Sequence, residues 1–486
     1  MTSKTNAKIE NLSAELVVVG GGGAGLTAAV AASEEGVKDI IILETRSKPG
    51  GNAAYVGGIF AAESRVQKRL GIDARRDVLF KKAMDYAHWK TNPRLVRALV
   101  DKSGDTIQWL EGKGLTFDKV HPLYPNQVPM VFHFQKPPGK TGARFVKAFV
   151  KTCEESGVRL LCRTKAKKLL MGEKGDVIGV LVEAENGEFR VFAKSVIIAT
   201  GGFSGNTELL RTYLPSYDKK VFNLRGIPHQ GDGLRMALEI GAATEGMVML
   251  EMNGPGFAGS HHLTIVAKHP KTIWVNKKGK RFTDESIALF PETANCLYRQ
   301  PGKISYSLFD EEIKQSIYED ELNPLDALIV GNKDWALKAE KDLQSQAGKG
   351  KVKICESWDE VAGWIGAVPD ILKAEINEYN AFCIQGHDDL FVKDRRYLSP
   401  LRKPPYYAIQ CGLNLMTTHG GIKVNHRMEV LDTKDTPIPG LYAAGVETGG
   451  TDSDTYDSHL TGHSFGFTVN SGRIAGETAA KFILGE

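Results

Sequence analysis

Near its C-terminus the chain has a short segment whose side chains could transfer protons. Residues 449–464 (GGTDSDTYDSHLTGHS) contain Tyr456, His459 and His463 together with several aspartates. Histidine and tyrosine can donate a proton, or a hydrogen bond to a carbonyl oxygen, near neutral pH. A further histidine, His419, lies in an HGG turn. Two interpretations stay open: these side chains are catalytic, or they are loop residues that bond to their own backbone.

Three glycines near the N-terminus have the spacing of a phosphate-binding turn. Gly20, Gly22 and Gly25 follow an apolar stretch at 15–19 that predicts a buried strand. Glycine permits the tight turn and lets backbone N–H groups approach a pyrophosphate at the start of the next helix. Glu44 ends a second predicted strand, where its carboxylate can accept hydrogen bonds from ribose hydroxyls. The pattern therefore predicts a bound ADP-ribosyl group.

The elements that would hold these residues follow from apolar periodicity. We expect strands at 15–19, 39–44, 194–199 and 440–444, and a small antiparallel sheet at 158–170 and 177–192. We expect helices at 26–35, 93–113, 143–155 and 474–484, and a loop at 121–139, which is rich in proline and aromatic residues. Residues 246–395 carry no nucleotide signature and are interpreted as an inserted second domain.

Composition limits the class of protein. With 486 residues, 42% hydrophobic and 25% charged, the chain has the length and balance of a globular protein with a large core. Its 62 basic and 58 acidic residues form no long basic run, so we expect neither nucleic acid nor a membrane as a partner.

The cysteines and the N-terminal apolar stretch bear on cofactors and location. Six scattered cysteines form no zinc, iron–sulfur or haem-attachment motif, so we expect no metal. Sparse, scattered cysteines also predict a reducing, cytoplasmic location. The apolar stretch at 16–32 follows Glu10 and Glu15 and contains five glycines. These features argue against a signal peptide or a membrane span.

Later motifs favour FAD over NAD as the bound nucleotide. Turns read PGGNA at 49–53, ATGGF at 199–203 and LYAAG at 441–445. Further motifs read GGNAAYVGGIFAAES at 51–64, GDG at 231–233 and NKKGKRFTDE at 276–285. With these motifs the chain resembles the fumarate reductase/succinate dehydrogenase flavoprotein family, which includes soluble fumarate reductase, urocanate reductase and 3-ketosteroid dehydrogenases.

The resemblance implies a fold and its boundaries. The fold is α/β, with a Rossmann-like FAD-binding domain of the two-dinucleotide-fold type and an inserted α+β capping domain. The expected FAD-binding domain comprises 1–245 and 396–486, and the capping domain comprises 246–395.

The resemblance also implies which residues contact FAD. No histidine stands at 52–58, where succinate dehydrogenases attach the flavin, so noncovalent FAD is expected. Glu447 stands one residue later than the family's AGE glutamate. The implied contacts are Gly20, Gly22, Ala24, Gly25, Glu44, Asn52, Ala53, Gly57, Gly58, Ala166, Thr200, Gly201, Asp232, Gly445, Glu447, His463, Ser464 and Phe465.

The residues that bind fumarate in the family are replaced in this chain. The family's two histidines correspond to Gly254 and Thr417, and its two arginines to Leu289 and His459. A buried carboxylate needs a paired cation or several hydrogen-bond donors. Fumarate is therefore not the expected substrate.

For catalysis, the resemblance implies hydride transfer from flavin N5 to a C=C bond conjugated to a carbonyl or carboxylate. We expect His459, Tyr456 and His419 to be catalytic, as proton donor or carbonyl binder, and His463 to lie beside the flavin. Electrons would come from an external donor: a redox protein, reduced flavin or NADH. Two alternatives stay open: a ketosteroid-type or cyclic-ketone dehydrogenase, and a flavin-bearing electron-transfer or binding subunit without its own substrate.

Overall fold

The computed structural model describes residues 11–122, 129–135, 141–215, 217–219, 222–247, 250–288, 291–323, 326–327 and 330–486. These residues form two compact units. The first lies within residues 1–215, 226–250 and 417–486, and the second within 216–225 and 251–416. The boundaries expected from sequence, 245/246 and 395/396, remain a proposal about which segments serve the cofactor and which the substrate.

The first unit is a mixed α/β structure. Its strands are β1 Leu12–Val19, β2 Ile40–Glu44, β3 Ile59–Phe60, β4 Phe117–His121, β5 Phe132–Gln135, β6 Arg159–Cys162, β7 Lys165–Met171, β8 Val177–Ala184, β9 Gly187–Ile198, β11 Thr244–Glu245, β17 Gly421–Ile422, β18 Glu429–Leu431 and β19 Pro437–Ala443. Its helices are α1 Gly23–Glu34, α2 Arg65–Arg69, α3 Arg76–Tyr86, α4 Pro93–Gly112, α5 Thr141–Glu155, α6 Thr207–Tyr213, α7 Asp232–Glu239 and α14 His463–Leu484. Short 3₁₀ turns lie at Gly51–Tyr55, Gly445–Glu447 and Ser458–Leu460.

The central sheet of this unit has the strand order β18-β19-β9-β1-β2-β6 in the described chain, with β8 joined to β9 and β7 to β8. Strands β1 and β2 run parallel, with Leu16 opposite Ile40 and Val19 opposite Leu43. Both are apolar runs rich in β-branched residues, as expected of strands buried on two faces. Parallel pairing aligns the carboxyl ends of β1, β2 and β9 at one edge, where the nucleotide turns begin.

Helix α14 is longer than expected, because it begins at His463 rather than near residue 474. Glycines within it obscure the apolar pattern. A Cβ at Gly472 would lie 2.5 Å from the carbonyl oxygen of Ala24, and one at Gly476 would lie 2.3 Å from that of Ala28. The glycines therefore allow α14 to pack directly on the backbone of α1.

Two other expectations need correction. The prediction of a loop at 121–139 is wrong for Phe132–Gln135, because these residues form strand β5 and pair with both β3 and β4. The structure does not describe 123–128 and 136–140. The antiparallel pairing expected at 158–170 and 177–192 is confirmed for β7, β8 and β9. These strands belong to the central sheet rather than to a small sheet, and β6 pairs with β2 in parallel. The helices expected at 93–113 and 143–155 are confirmed as α4 and α5.

The second unit has its own sheet and core. Its strands are β10 Phe222–Leu224, β12 Leu250–Gly256, β13 Ile273–Val275, β14 Ser305–Asp310, β15 Val352–Cys355 and β16 Tyr406–Thr418. Its helices are α8 His261–Ala267, α9 Glu292–Tyr298, α10 Glu311–Glu319, α11 Trp335–Ala347, α12 Trp358–Ile365 and α13 Pro369–Gln385, with 3₁₀ turns at Glu285–Ile287, Pro301–Lys303 and Arg395–Tyr397.

A buried ion-pair network fixes the interior of the second unit. Arg281 pairs with Glu285 at 2.8 Å and with Asp388 at 2.9 Å, and Lys393 pairs with Glu285 at 3.2 Å. Removing one partner would leave an uncompensated buried charge, so the network is structural. Among the described residues of both units, none of the helices has the length and apolarity needed to cross a bilayer.

Candidate active site

The glycine turn after β1 is closed on one side and open on the other. Gly20 has a φ of +110°, and a Cβ at Gly25 would lie 1.8 Å from the carbonyl oxygen of Gly20. A Cβ at Gly22, by contrast, would meet no atom of the described chain within 4 Å. The turn is thus packed tightly against its own strand and exposes backbone at the start of α1, as a pyrophosphate site requires.

Glu44 lies beside this turn, at the end of β2. One carboxylate oxygen accepts a hydrogen bond from the N–H of Gly21 at 2.9 Å, and the other from the N–H of Arg46 at 2.8 Å. These bonds fix the carboxylate next to the glycine turn, where the sequence predicted a ribose contact.

Segments far apart in sequence meet around the turn. A Cβ at Gly20 would lie 2.3 Å from the carbonyl oxygen of Ala199, one at Gly51 would lie 3.4 Å from Gly22, and one at Gly445 would lie 3.0 Å from Ala24. Four of the predicted FAD-contact segments are therefore adjacent.

Other predicted contacts lie at the rim of this group. Asp232 begins α7 and pairs with Lys165 at 2.9 Å, next to the buried Ala166. Asn52 accepts a hydrogen bond from the N–H of Ile227 at 2.7 Å. The remaining predicted contacts are Ala53 within the 3₁₀ turn at Gly51–Tyr55, Gly57 and Gly58 between that turn and β3, Gly201 after β9, and Ser464 and Phe465 in the first turn of α14.

Two buried side chains at this group have polar atoms without a hydrogen-bond partner among the described residues. Glu447 accepts a hydrogen bond from the Thr200 hydroxyl through Oε2, while its Oε1 is buried and unpaired. Burial raises the pKa of Glu447 to about 8. The His229 ring packs against Gly201, so closely that a Cβ at Gly201 would lie 2.8 Å from the ring. The Nδ1 atom of His229 also has no hydrogen-bond partner among the described residues. Burial lowers the pKa of His229 to about 4.

These unpaired atoms and the open glycine turn fit a dinucleotide cofactor. Buried polar atoms in a folded protein are almost always satisfied, and the hydroxyl-rich ribityl and ribose groups of FAD carry donors and acceptors that would satisfy them. The signal that pointed to Glu447 in the sequence was its place after LYAAG. His229 had no such signal, because its contact with Gly201 depends on the chain reversal before α7.

Two of the three residues predicted to be catalytic, His419 and Tyr456, form a second cluster in the same unit, together with His463 and Asp452. His419 Nδ1 lies 2.8 Å from Asp452 Oδ2, and His463 Nε2 lies 2.8 Å from Asp452 Oδ1. The Tyr456 ring stacks on the His463 ring, with centroids 4.2 Å apart, and meets the His419 ring edge-on at 5.8 Å. All four side chains are buried.

The electrostatics of the cluster centre on Asp452. Burial alone would raise its pKa, but the charges of His463 and His419 outweigh burial and hold the pKa of Asp452 well below its usual value. Burial likewise opposes protonation of His463, but Asp452 outweighs it and raises the pKa of His463. Within the described residues, the donor atoms of His419, Asp452 and His463 lie within 4.8 Å of one another. A metal ion there would have to displace both hydrogen bonds to Asp452, so we describe the cluster as a hydrogen-bond network.

His459 lies apart from this network. Its side chain is 43% exposed, its Nδ1 lies 3.2 Å from Asp457, and its ring packs edge-on against Tyr86 of α3 at 5.2 Å. The Tyr86 hydroxyl donates to the carbonyl oxygen of Tyr456 at 3.3 Å. Helix α3 thus anchors the segment that carries Tyr456, and His459 belongs to that anchor.

Asp452 is the residue of the network that sequence reasoning did not single out. The segment contains three aspartates, and nothing in their spacing separates them. In the structure Asp454 pairs with the exposed Lys90, and Asp457 accepts a hydrogen bond from the N–H of His459 at 2.7 Å. Only tertiary contacts distinguish Asp452 from these two.

Together the parallel sheet, the glycine turn and the acid at the end of β2 define a dinucleotide-binding flavoprotein. More particularly, the chain belongs to the FAD binding domain family, whose model matches residues 15–456. The match confirms FAD as the cofactor and the expected family and fold. The chain is an FAD-dependent oxidoreductase.

Comparison with known proteins shows relatives along nearly the whole chain. It is 31% identical over 484 residues to a vinyl phenol reductase of Lactiplantibacillus plantarum, covering 96% of each protein. It is 28% identical over 474 residues to a urocanate reductase of Eggerthella lenta, covering 96% of this chain and 74% of that one. A solved flavocytochrome c3 fumarate reductase in its open conformation matches with a TM-score of 0.74 at 25% identity, over 98% of this chain and 79% of that one.

Proposed function

We propose that this protein reduces a conjugated C=C bond of a small substrate other than fumarate, and that the reverse reaction would form such a bond. The observation that carries the proposal is the buried network of His419, Asp452, His463 and Tyr456. It lies in the unit that contains the nucleotide turns, and His463 and Tyr456 belong to the segment where the family's fumarate-binding arginine has been replaced. FAD, when bound, supplies the hydride.

The protein side chains would manage the proton that accompanies the hydride. His419 and Tyr456 are both of residue types suited to this role near neutral pH. Either can donate a proton to the alkene carbon next to the one that receives the hydride, or a hydrogen bond to an oxygen where charge develops. Their burial excludes water, which strengthens such bonds. His459 remains a candidate donor, and the variant described below tests it.

Two relatives support the reaction class. Vinyl phenol reductase and urocanate reductase are both named for substrates other than fumarate. For this chain we propose a substrate with a C=C bond conjugated to a carbonyl, a carboxylate or a phenol ring, and 4-vinylphenol is the first compound to test. The electron donor would be an external redox protein, reduced flavin or NADH. The protein would act in the cytoplasm.

A screen with a reduced viologen dye tests the proposal. We expect purified holoenzyme to oxidise the dye when supplied with 4-vinylphenol, enones or enoates, and to release FAD on denaturation. A cyclic ketone and its enone belong to the panel, because Tyr456 could also polarise a ketone. Activity with fumarate above that with every other compound would contradict the proposal, as would inactivity with the whole panel.

Two variants then test the proton donor. Tyr456→Phe keeps the stacked ring and removes only the hydroxyl, so lower turnover with unchanged FAD content would support a role for that hydroxyl. His459→Ala is its companion on the same segment. Unchanged turnover of His459→Ala would remove His459 from the mechanism.

A further inference from the structure

One arginine of the second unit is held by uncharged acceptors. Arg225 directly follows strand β10 and is half-buried. Its Nε donates to the side-chain oxygen of Asn414 at 3.0 Å, and its Nη2 donates to the carbonyl oxygen of Phe257 at 2.6 Å and more weakly to the Thr264 hydroxyl at 3.4 Å. Within the described chain, Nη1 has no acceptor and no carboxylate pairs with this guanidinium. Arg225 therefore brings a positive charge into the unit without a counter-charge.

Two other arginines that are withdrawn from water in this chain do have carboxylate partners. Arg281 pairs with Glu285 at 2.8 Å, and Arg473 pairs with Asp105 at 2.9 Å. Burial lowers the pKa of Arg225, and no negative charge among the described residues offsets that effect. The side chain stays protonated even so, and a charge taken from water is costly unless it is paired. The partner that Arg225 lacks can come from a ligand.

The neighbours of Arg225 fix its position before any ligand arrives. Strand β10 pairs with β16, and the backbone N–H of Arg225 donates to the carbonyl oxygen of Leu415 at 2.8 Å. The Asn414 amide is oriented in turn, because its Nδ2 donates to Asn253 Oδ1 at 2.9 Å, which turns Oδ1 toward Arg225. A Cβ at Gly256 would lie 2.2 Å from Asn414 Nδ2, so glycine at 256 leaves room for this amide. A guanidinium held along one edge presents its remaining N–H groups in a fixed direction, as recognition of a carboxylate requires.

We propose that Arg225 binds the carboxylate of the substrate and that the substrate is an unsaturated acid with a single carboxylate. The inference rests on the proposed function and narrows its substrate class. The family's two arginines correspond to Leu289 and His459 in this chain, so Arg225 supplies the cation from a different segment. One guanidinium balances one carboxylate, which favours a monocarboxylate over a dicarboxylate such as fumarate.

Calorimetric titration of the oxidised, FAD-loaded enzyme tests the role of charge without turnover. Two pairs of probes are used at pH 7: cinnamate with cinnamamide, and crotonate with crotonamide. Each acid has nearly the shape of its amide and differs from it in charge. We expect at least one acid to bind the wild type at least about tenfold more tightly than its amide. Equal or weaker binding of both acids relative to their amides, or no binding of either acid, would overturn the proposal.

Two variants remove the free charge in different ways. Arg225→Gln deletes the guanidinium, whereas Asn414→Asp keeps it and places a carboxylate on its Nε edge. Both should weaken binding of the acid by about tenfold or more and leave binding of the amide unchanged. The control Arg396→Gln removes an exposed arginine that pairs with Asp394, and it should change neither affinity. Equal weakening of acid and amide in a folded Arg225→Gln protein would show a purely structural role and refute the proposal.

The outcomes separate this inference from the proposed function. FAD content and thermal midpoint show whether each variant is folded; if Arg225→Gln is not, Asn414→Asp and the comparison of acid with amide in the wild type decide. An enzyme that binds the acid through Arg225 but reduces no alkene would refute the proposed function and leave the carboxylate site standing. An enzyme that reduces enones but binds neither acid would refute the inference alone.

Discussion

The buried carboxyl of Glu447 leads to a prediction about stability. Its pKa is raised to about 8 by burial, against an ordinary value of 4.5. Between these values the folded protein keeps a proton that the unfolded chain has released, so rising pH destabilises the fold. Each pH unit costs about 1.4 kcal/mol. At pH 7, which is below the raised pKa, the accumulated cost is roughly 3 kcal/mol.

Glu447→Gln should remove that cost, because glutamine keeps the shape of the protonated acid. We expect the variant and the wild type to be equally stable near pH 4 and the variant to be more stable by roughly 3 kcal/mol at pH 7. The assay is denaturant unfolding at a series of pH values, with the FAD content of each sample measured.

Glu429→Gln is the matched control for this experiment. Burial would raise the pKa of Glu429, but hydrogen bonds from Arg427 and Asn425 outweigh it and lower that pKa. This control should therefore lose stability at neutral pH, the opposite sign. A stability difference between Glu447→Gln and wild type that did not change with pH would refute the reasoning.

Three further predictions concern the glycine turn, His229 and the ion pair between Asp452 and His463. Gly25→Ala should abolish FAD retention, because its Cβ would lie 1.8 Å from the Gly20 carbonyl oxygen. Gly22→Ala should fold normally, because its Cβ would meet no atom of the described chain within 4 Å. The FAD content of the two variants after a desalting column is the measurement. His229→Ala should weaken FAD binding about tenfold in a fluorescence titration, whereas unchanged affinity would mean that its unpaired Nδ1 does not face the cofactor. Asp452→Asn should destabilise the protein most between pH 4 and pH 6.5: the lowered pKa of Asp452 gives stability that is lost as pH falls, and the raised pKa of His463 gives stability that is lost as pH rises. A stability deficit that is flat across pH would contradict the ion pair.

The nucleotide half of the site could be predicted from sequence because local chemistry determines it. Gly25 is required by its close approach to Gly20 within one strand–turn–helix unit, and Gly20 by its φ of +110° in the turn itself. Glu44 stands at the end of the neighbouring strand. Such requirements leave a pattern of fixed spacing.

The catalytic half could be predicted only in part. The sequence pointed to the segment with Tyr456 and His463, but the partner that organises them is Asp452, which looks like its neighbours Asp454 and Asp457 until the chain folds. Likewise the start of α14 was missed, because the glycines that pack it on α1 carry no apolar signal. Residues whose role depends on contacts between distant segments have no local signature.

The most direct test of the account is a single turnover of the reduced enzyme. The flavin is reduced with dithionite without oxygen and mixed with 4-vinylphenol, an enone, an enoate other than fumarate, or fumarate. Its visible absorbance is followed and the product is identified. The account predicts that a conjugated alkene other than fumarate reoxidises the flavin and yields one equivalent of the saturated product, and that fumarate reacts far more slowly. A flavin that stays reduced with every alkene other than fumarate, or is reoxidised fastest by fumarate, would contradict it.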